Sequence, residues 1–178
     1  MQFASADALE RARRVKLMLF DVDGTLTDGN LWYGASGEEI KAFHSFDGHG
    51  LKMLAQSGVR VGLLTGRSSP AVAARAAELG IEHVLQGVEK KRETYEALLR
   101  KLGLSQDQAG YMGDDLVDIP VLKRCGFACA VPEAPEEVRK HAHYVAATPA
   151  GEGAAREVCE FIMRAQGTFG DILKEYLE

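Results

Sequence analysis

Acidic side chains directly after two apolar runs are the feature of this sequence that could do chemistry. Asp21 and Asp23 follow the run VKLMLF, and Asp114, Asp115 and Asp118 follow the run AGYMG. Carboxylates within about 4 Å of one another repel by several kcal/mol at an effective dielectric constant of about 20, so such a cluster needs a counter-ion. Oxygen ligands favour a hard cation, and Mg2+ accepts one or two carboxylates together with a phosphate oxygen. The acids therefore predict a magnesium site.

Two further polar groups suit a phosphoryl group. Thr65 ends the run VRVGLLT and can donate a hydroxyl hydrogen bond, and Lys91 supplies a compact positive charge. The backbone amides of the turn at Gly24 can bind another oxygen. Together with the acids, these groups describe a site for phosphoryl transfer. Taken alone, Asp21 and Asp23 could equally form a cap or a turn, because Asp and Gly are common in loops.

These groups meet only if the apolar runs before them lie side by side in one sheet. Short apolar runs alternate with helical segments along the chain, which is typical of βα units and of a parallel sheet flanked by helices. In such a sheet, ligands are held beyond the carboxyl ends of the strands. We therefore expect an α/β, Rossmann-like single domain over residues 1–178, with the polar groups on one rim.

One segment, from about residue 28 to 46, departs from this alternation. Two short apolar stretches, LWYG and EIKAFH, flank a turn that contains glycine. This pattern predicts a small β-hairpin beside the main sheet. The sequence between Asp21 and Thr65, and between Thr65 and Lys91, is already filled by the hairpin, helices and strands. We therefore expect no cap domain over the site.

Composition limits the class of protein. Hydrophobic residues make up 46% and charged residues 26% of the chain, no apolar run could span a bilayer, and the N-terminal segment lacks the apolar core of a secretion signal. We expect a cytoplasmic location without membrane association. The net charge of −5, with no basic stripe, argues against nucleic acid as a partner. Cys125, Cys129 and Cys159 form no CxxC pair, which predicts buried thiols.

Four segments of the chain occur in the order of the four motifs of the haloacid dehalogenase superfamily: DVDGT, LLTGR, Lys91 ahead of a helix, and GDDLVD. The sequence resembles members of that superfamily over nearly its whole length. The resemblance implies that Asp21 attacks phosphorus to form an aspartyl phosphate, and that Asp23 protonates the leaving oxygen and then activates water. A dehalogenase has no leaving alkoxide to protonate, so the acid at Asp23 favours hydrolysis of a phosphate ester.

The resemblance also implies the ligands of the reacting groups. Mg2+ would be bound by the carboxylates of Asp21 and Asp114 and by the backbone carbonyl of Asp23. Thr65 and Lys91 would hold the transferring phosphoryl group. The other acids of the last motif would be auxiliary: Asp115 and Asp118.

Within the superfamily, the sequence is similar to the capless phosphatases of sugar acid phosphates, which carry such a hairpin and a segment matched here by FHSFDG. Because the site would be open in a monomer, we expect a homotetramer in which a neighbouring subunit closes it. Trp32 and Tyr33 of the hairpin would form the contact, and a plain surface hairpin is the alternative. Residues 167–178 would be a mobile tail that enters a neighbouring site, or simply a solvated chain end.

The resemblance implies an eight-carbon sugar acid 8-phosphate as substrate, with a nine-carbon 9-phosphate as the alternative. The chain departs from the family pattern at His44, where Asn is expected, and at Phe46 and Lys52, where Arg occurs. Arg75 could instead be only a surface charge. The implied substrate-binding residues are Asp23, His44, Asp47, Gly48, Lys52, Arg67, Arg75 and Lys91.

A protein of another class also combines acids, Thr and Lys around magnesium on a parallel sheet, namely the receiver domain of signalling proteins. In receivers the acidic pair comes first, and the phosphoacceptor Asp, the Thr and the Lys follow. Here the second acidic cluster comes after both Thr65 and Lys91. The order of the motifs therefore argues against a receiver-like binding module.

Overall fold

The computed structural model of the chain describes residues 5–177. Its main strands are β1 (Leu17–Phe20), β4 (Arg60–Leu64), β5 (His83–Leu85), β6 (Ala109–Gly113), β7 (Phe127–Ala130) and β8 (Tyr144–Val145). They form one parallel six-stranded sheet in the order β5-β4-β1-β6-β7-β8. A separate antiparallel hairpin pairs β2 (Trp32–Tyr33) with β3 (Glu39–Ile40). The predicted α/β class with a hairpin is confirmed, and residues 5–177 form no cap domain.

Helices cover both faces of the sheet. They are α1 (Ala6–Arg13), α2 (Ser45–Gln56), α3 (Pro70–Leu79), α4 (Lys91–Leu102), α5 (Ile119–Leu122), α6 (Glu136–Arg139), α7 (Ala154–Gln166) and α8 (Phe169–Lys174), with 3-10 helices at Gln106–Gln108 and Leu116–Asp118. Helices α1 and α2 pack against α7, and α4 packs against α5. Right-handed crossovers place these two groups on opposite faces. No helix within residues 5–177 is long and apolar enough to cross a membrane.

Strand β1 lies in the centre of the sheet. All four of its residues are fully buried, as expected for a strand covered on both faces. The chain runs from β1 to β4 and β5 on one side, and then returns to β6 on the other. Adjacent strands whose connections diverge in this way leave a crevice at their carboxyl ends. The three cysteine thiols are buried and free, as predicted.

Helix α2 begins ahead of two glycines in its sequence. Gly48 and Gly50 lower the helix propensity of its first turns, yet the helix already starts at Ser45, with His44 Nδ1 accepting a hydrogen bond from the amide of Phe46. A Cβ at Gly50 would lie 2.9 Å from Cα of Arg156, so the missing side chain lets α2 and α7 approach closely. Tertiary packing therefore outweighs local propensity here.

The described part of the C-terminal segment folds back on its own subunit. Residues Phe169–Lys174 form α8, which packs against α7. Ile172 is buried, and the guanidinium of Arg164 lies 3.8 Å from the ring centre of Phe169. Leu173 and Tyr176 stay exposed, and the predicted role of the tail, entry into a neighbouring site or a solvated chain end, stays a prediction.

Candidate active site

The register of the sheet brings three polar strand ends together. Phe20, the last residue of β1, pairs with Leu63 of β4 and with Met112 of β6. Asp21, which follows β1, therefore stands between Thr65, which follows β4, and Asp114, which follows β6. This is the rim on which the sequence placed the chemistry, and it lies at the crevice between β1 and β6.

Three carboxylates form the acidic cluster of this rim. Asp21, Asp114 and Asp118 each have an oxygen within 4.8 Å of the others. Oδ1 of Asp21 is buried and accepts no hydrogen bond from the described residues. An unpartnered buried carboxylate oxygen beside a second carboxylate is the donor set that suits a hard cation such as Mg2+. Asp21 and Asp114 fit the predicted metal site, to which the family resemblance adds the backbone carbonyl of Asp23.

Asp118 is occupied by protein partners and is not free to bind a cation. Its Oδ1 accepts hydrogen bonds from Lys91 Nζ at 2.7 Å and from the Tyr111 hydroxyl at 2.5 Å. Its Oδ2 accepts the backbone amides of Asp114 at 3.0 Å and Asp115 at 3.1 Å. The predicted auxiliary acid therefore holds Lys91 and the loop after β6. Sequence reasoning missed Tyr111, because a tyrosine in a buried strand carries no local sign of this contact.

Lys91 links Asp21, the predicted nucleophile, to Asp118. Its Nζ lies 2.9 Å from Oδ2 of Asp21 and makes the buried contact with Asp118. Burial lowers the pKa of Lys91, but the charges of Asp21 and Asp118 outweigh burial and raise its pKa above the ordinary value. Lys91 is therefore a permanent cation next to the predicted nucleophile.

The metal-free acids retain protons more strongly than free carboxyls. Burial, followed by the charge of Asp118, raises the pKa of Asp21 to about 6. Burial, followed by the charges of Asp21 and Asp118, raises the pKa of Asp114 to about 7. These shifts indicate that one lysine does not neutralise the cluster. A bound cation would supply the missing charge.

A tight loop after β1 holds the site together. Gly24 has a φ of 84°, and a Cβ there would lie 2.2 Å from Oδ2 of Asp114. Thr25 donates a hydrogen bond to Oδ1 of Asp114 at 3.2 Å, and Oγ1 of Thr27 accepts the Gly24 amide at 3.3 Å. Thr65 is buried, and its hydroxyl makes no hydrogen bond with the described residues. That hydroxyl is available for an external oxygen.

The hairpin contributes a charged network that the sequence analysis did not include. Lys41, directly after β3, donates a hydrogen bond to Oδ1 of Asp23 and lies 3.0 Å from Oε1 of Glu39. Arg67 donates to Glu39 at 2.7 Å and to the Tyr33 hydroxyl at 2.9 Å. Glu39 and Lys41 are two residues apart, so they share one side of an extended chain. That spacing is the sequence signal from which a contact between the two side chains could have been predicted.

The other predicted substrate-binding residues lie beside α2, apart from the acidic cluster. Oδ1 of Asp47 accepts the amide of Arg156 at 2.8 Å, and a Cβ at Gly48 would lie 2.1 Å from Nη2 of Arg75. Asp47, Gly48 and Arg75 line a small, mostly apolar cavity together with His44. Lys52 is exposed on α2. Within residues 5–177, none of the five makes a hydrogen bond or ion pair with the acidic cluster, and their binding role stays a prediction.

The parallel sheet, the acid pair after β1, and the Thr, Lys and Asp side chains at neighbouring strand ends define the haloacid dehalogenase-like hydrolases. The model of that family matches residues 84–158 of the chain. The chain is 40% identical over 163 residues to the 3-deoxy-D-manno-octulosonate 8-phosphate phosphatase of Escherichia coli K12. The match covers 92% of this chain and 87% of that protein. It belongs to the family of these phosphatases within the haloacid dehalogenase-like hydrolases.

Solved structures of relatives agree closely with this fold. A crystal structure of a probable YrbI family phosphatase from Pseudomonas syringae has a TM-score of 0.96 and 47% identity, covering 98% of this chain and 99% of that chain. The 3-deoxy-D-manno-octulosonate 8-phosphate phosphatase of Moraxella catarrhalis, solved with magnesium, phosphate and the KDO molecule, has a TM-score of 0.94 and 40% identity, covering 96% of this chain and 98% of that chain.

Proposed function

We propose that this protein is a magnesium-dependent phosphomonoesterase. It hydrolyses 3-deoxy-D-manno-octulosonate 8-phosphate to the free sugar acid and phosphate, in lipopolysaccharide precursor synthesis. The observation that carries the reaction type is the pairing of Asp21 with Lys91 at 2.9 Å, with Asp23 two residues further on in the same loop. The names of the relatives support the substrate.

The first half of the reaction transfers the phosphoryl group to the protein. A carboxylate oxygen of Asp21 forms a bond to phosphorus as the bond from phosphorus to the sugar oxygen breaks, and Asp23 gives its proton to that departing oxygen. Lys91 and the free hydroxyl of Thr65 hold the phosphoryl oxygens. When bound by Asp21, Asp114 and the Asp23 carbonyl, Mg2+ supplies positive charge that offsets repulsion between nucleophile and phosphate.

The second half restores the protein. Asp23, now ionised, takes a proton from a water molecule, whose oxygen attacks phosphorus. The bond from phosphorus to Asp21 breaks, so phosphate leaves and the carboxylate of Asp21 is regenerated. Asp23 thus acts first as an acid and then as a base, and the covalent intermediate on Asp21 divides one slow hydrolysis into two easier steps.

Phosphate release gives the test of reaction and substrate. We expect a higher kcat/KM for the eight-carbon 8-phosphate than for a nine-carbon sugar acid 9-phosphate, and no turnover without Mg2+. Asp21→Asn should abolish release, whereas Asp171→Asn, at an exposed acid on α8, should retain it. Equal rates for Asp21→Asn and wild type would end the phosphatase proposal. A preference for an unrelated phosphate would overturn the substrate alone.

We further propose a homotetramer in which a neighbouring subunit closes the site. The hairpin supports this, because the exposed fractions of Trp32, Tyr33 and Ile40 are 59%, 58% and 53%. Apolar groups clustered on a surface mark interaction sites. Light scattering should give four subunits for wild type and fewer for Trp32→Ser with Ile40→Ser. A monomeric wild type at micromolar concentration would contradict the assembly. The cytoplasmic location stays a prediction.

A further inference from the structure

Lys41 is a buried cation outside the acidic cluster. The exposed fraction of its side chain is 1%, although it belongs to the hairpin and not to the main sheet. Its described partners are two carboxylates, Asp23 and Glu39. A lysine ammonium loses favourable hydration when it is buried, so it persists there only with such partners. The hairpin therefore delivers a charge to the side chain that the proposed reaction uses as its acid.

The partners of Lys41 are themselves fixed. Glu39 Oε2 accepts a hydrogen bond from Arg67 at 2.7 Å, while its Oε1 faces Lys41 at 3.0 Å. The hydrogen bond from Arg67, followed by the one from Lys41, lowers the pKa of Glu39 to about 2. Glu39 is therefore an anion that holds Lys41 in place and offsets its charge.

The two oxygens of Asp23 differ in their surroundings. Oδ1 accepts the hydrogen bond from Lys41, whereas Oδ2 accepts none from the described residues and lies 3.9 Å from Nε of Arg67. The side chain of Asp23 is 20% exposed, so Oδ2 can reach a group in the crevice. A carboxyl anchored through one oxygen has a defined direction for the other.

We propose that Lys41 is a positioning residue, which anchors Oδ1 of Asp23 so that Oδ2 carries the proton to the departing oxygen. The inference rests on the proposed function and adds a residue to it. In the first step the proton leaves Oδ2 as the bond from phosphorus to oxygen breaks. In the second step Oδ2 takes a proton from water. Lys41 keeps its own protons throughout and touches no substrate atom.

The test exploits leaving groups. 4-Nitrophenolate departs readily without a proton, whereas the departure of phenolate depends more strongly on protonation. Phenyl phosphate and 4-nitrophenyl phosphate are close in size. We use kcat/KM because it reports only the steps up to departure of the first product, before water attacks. General acid catalysis contributes about 10²- to 10⁴-fold, and lost positioning removes part of it. Lys41→Met should lower kcat/KM for phenyl phosphate about tenfold more than for 4-nitrophenyl phosphate.

Two reference variants give the expected upper and lower limits for the difference in kcat/KM between the two aryl phosphates. Asp23→Asn should show the same leaving-group dependence more strongly. Lys140→Met, at an exposed lysine directly after α6, should leave kcat/KM for both substrates unchanged. If Lys41→Met does not fold, Lys41→Met with Glu39→Gln removes the facing charge as well and carries the comparison. Equal losses on both substrates, or no loss, would overturn the positioning role. Wild type that hydrolyses the aryl phosphates but not the sugar acid phosphate would overturn only the proposed substrate.

Discussion

Lys91 and Asp118 form a buried ion pair, with 2.7 Å between Nζ and Oδ1, that connects the first residue of α4 to the loop after β6. The exposed fraction of the Asp118 side chain is 0%. Because the other oxygen of Asp118 accepts hydrogen bonds from the amides of Asp114 and Asp115, one carboxylate fixes both Lys91, the proposed phosphate-binding cation, and the loop that carries the proposed metal ligand Asp114. Support of the site and stability of the fold therefore depend on the same side chain.

Asp118→Asn should reduce both activity and stability. The amide keeps one acceptor oxygen but turns an NH2 group toward donors, which leaves buried donors unpaired. Relief of repulsion with Asp21 and Asp114 acts in the opposite direction and is the smaller effect. We expect the free energy of unfolding to fall by about 3 kcal/mol, as for a broken buried ion pair. Urea unfolding without Mg2+ measures this loss, and kcat should fall at least about tenfold if Lys91 moves. Unchanged values for both would contradict this role.

Gly24→Ala should weaken magnesium binding through a steric effect. The added Cβ would lie 2.2 Å from Oδ2 of Asp114, so the loop or the side chain of Asp114, the proposed metal ligand, must shift. Gly103→Ala is the matched control, because Gly103 also has a positive φ, 65°, but no atom within 4 Å of the added Cβ. Each variant should lose about 1 kcal/mol of stability from backbone strain. Titration calorimetry should show a higher Kd for Mg2+ in Gly24→Ala only, and equal values would refute the steric argument.

Stabilisation of the protein by Mg2+ should increase with pH. Without metal, the pKa values of Asp21 and Asp114 are about 6 and about 7, above the ordinary value. The folded state then holds protons that the unfolded state has released, so metal-free stability falls as pH rises from about 4 to about 7. The cation binds the deprotonated acids, and the gain in Tm on adding Mg2+ should be larger at about pH 8 than at about pH 5.5. Asp114→Asn should lose most of that gain. An equal gain at both pH values would contradict the prediction.

Glu157→Gln should destabilise the protein at neutral pH and much less in acid. The carboxylate of Glu157 accepts hydrogen bonds from the hydroxyls of Tyr144 and Thr148, each at 2.6 Å, and from backbone amides at Ala147 and Thr148. Burial raises its pKa, but these bonds outweigh burial and lower the pKa overall. A depressed folded pKa gives stability that is present above the unfolded value and is lost as pH falls through the folded value.

We expect Glu157→Gln to lose about 1 to 2 kcal/mol at pH 7. The difference from wild type should shrink in acid, below the ordinary pKa of a glutamate, because the native carboxyl becomes protonated there. Urea unfolding at both pH values checks this, with Glu152→Gln, in the loop before α7, as the control. A constant difference across the range would show that charge is not involved.

The sequence by itself determined the parallel sheet, the order of its strands along the chain and the rim that carries the acids. Buried strands such as Leu17–Phe20 are continuous apolar runs, and α3 is bounded by Pro70 in its first turn and Gly80 in the left-handed region. These signals are local, because they depend on neighbouring residues alone. Asp21, Asp23, Thr65 and Asp114 followed from them, since the carboxyl ends of parallel strands share one edge.

Only the tertiary structure decided how the remaining charges pair. Lys41 reaches Asp23 because the hairpin returns over the loop after β1. Asp118 accepts hydrogen bonds from Lys91 and Tyr111 and is therefore not free to bind the proposed Mg2+. Helix α8 likewise exists as a docked element through its contact with α7. Such contacts join residues far apart in the chain. Their energy depends on burial and on distances of a few ångströms, which local periodicity and residue type do not specify.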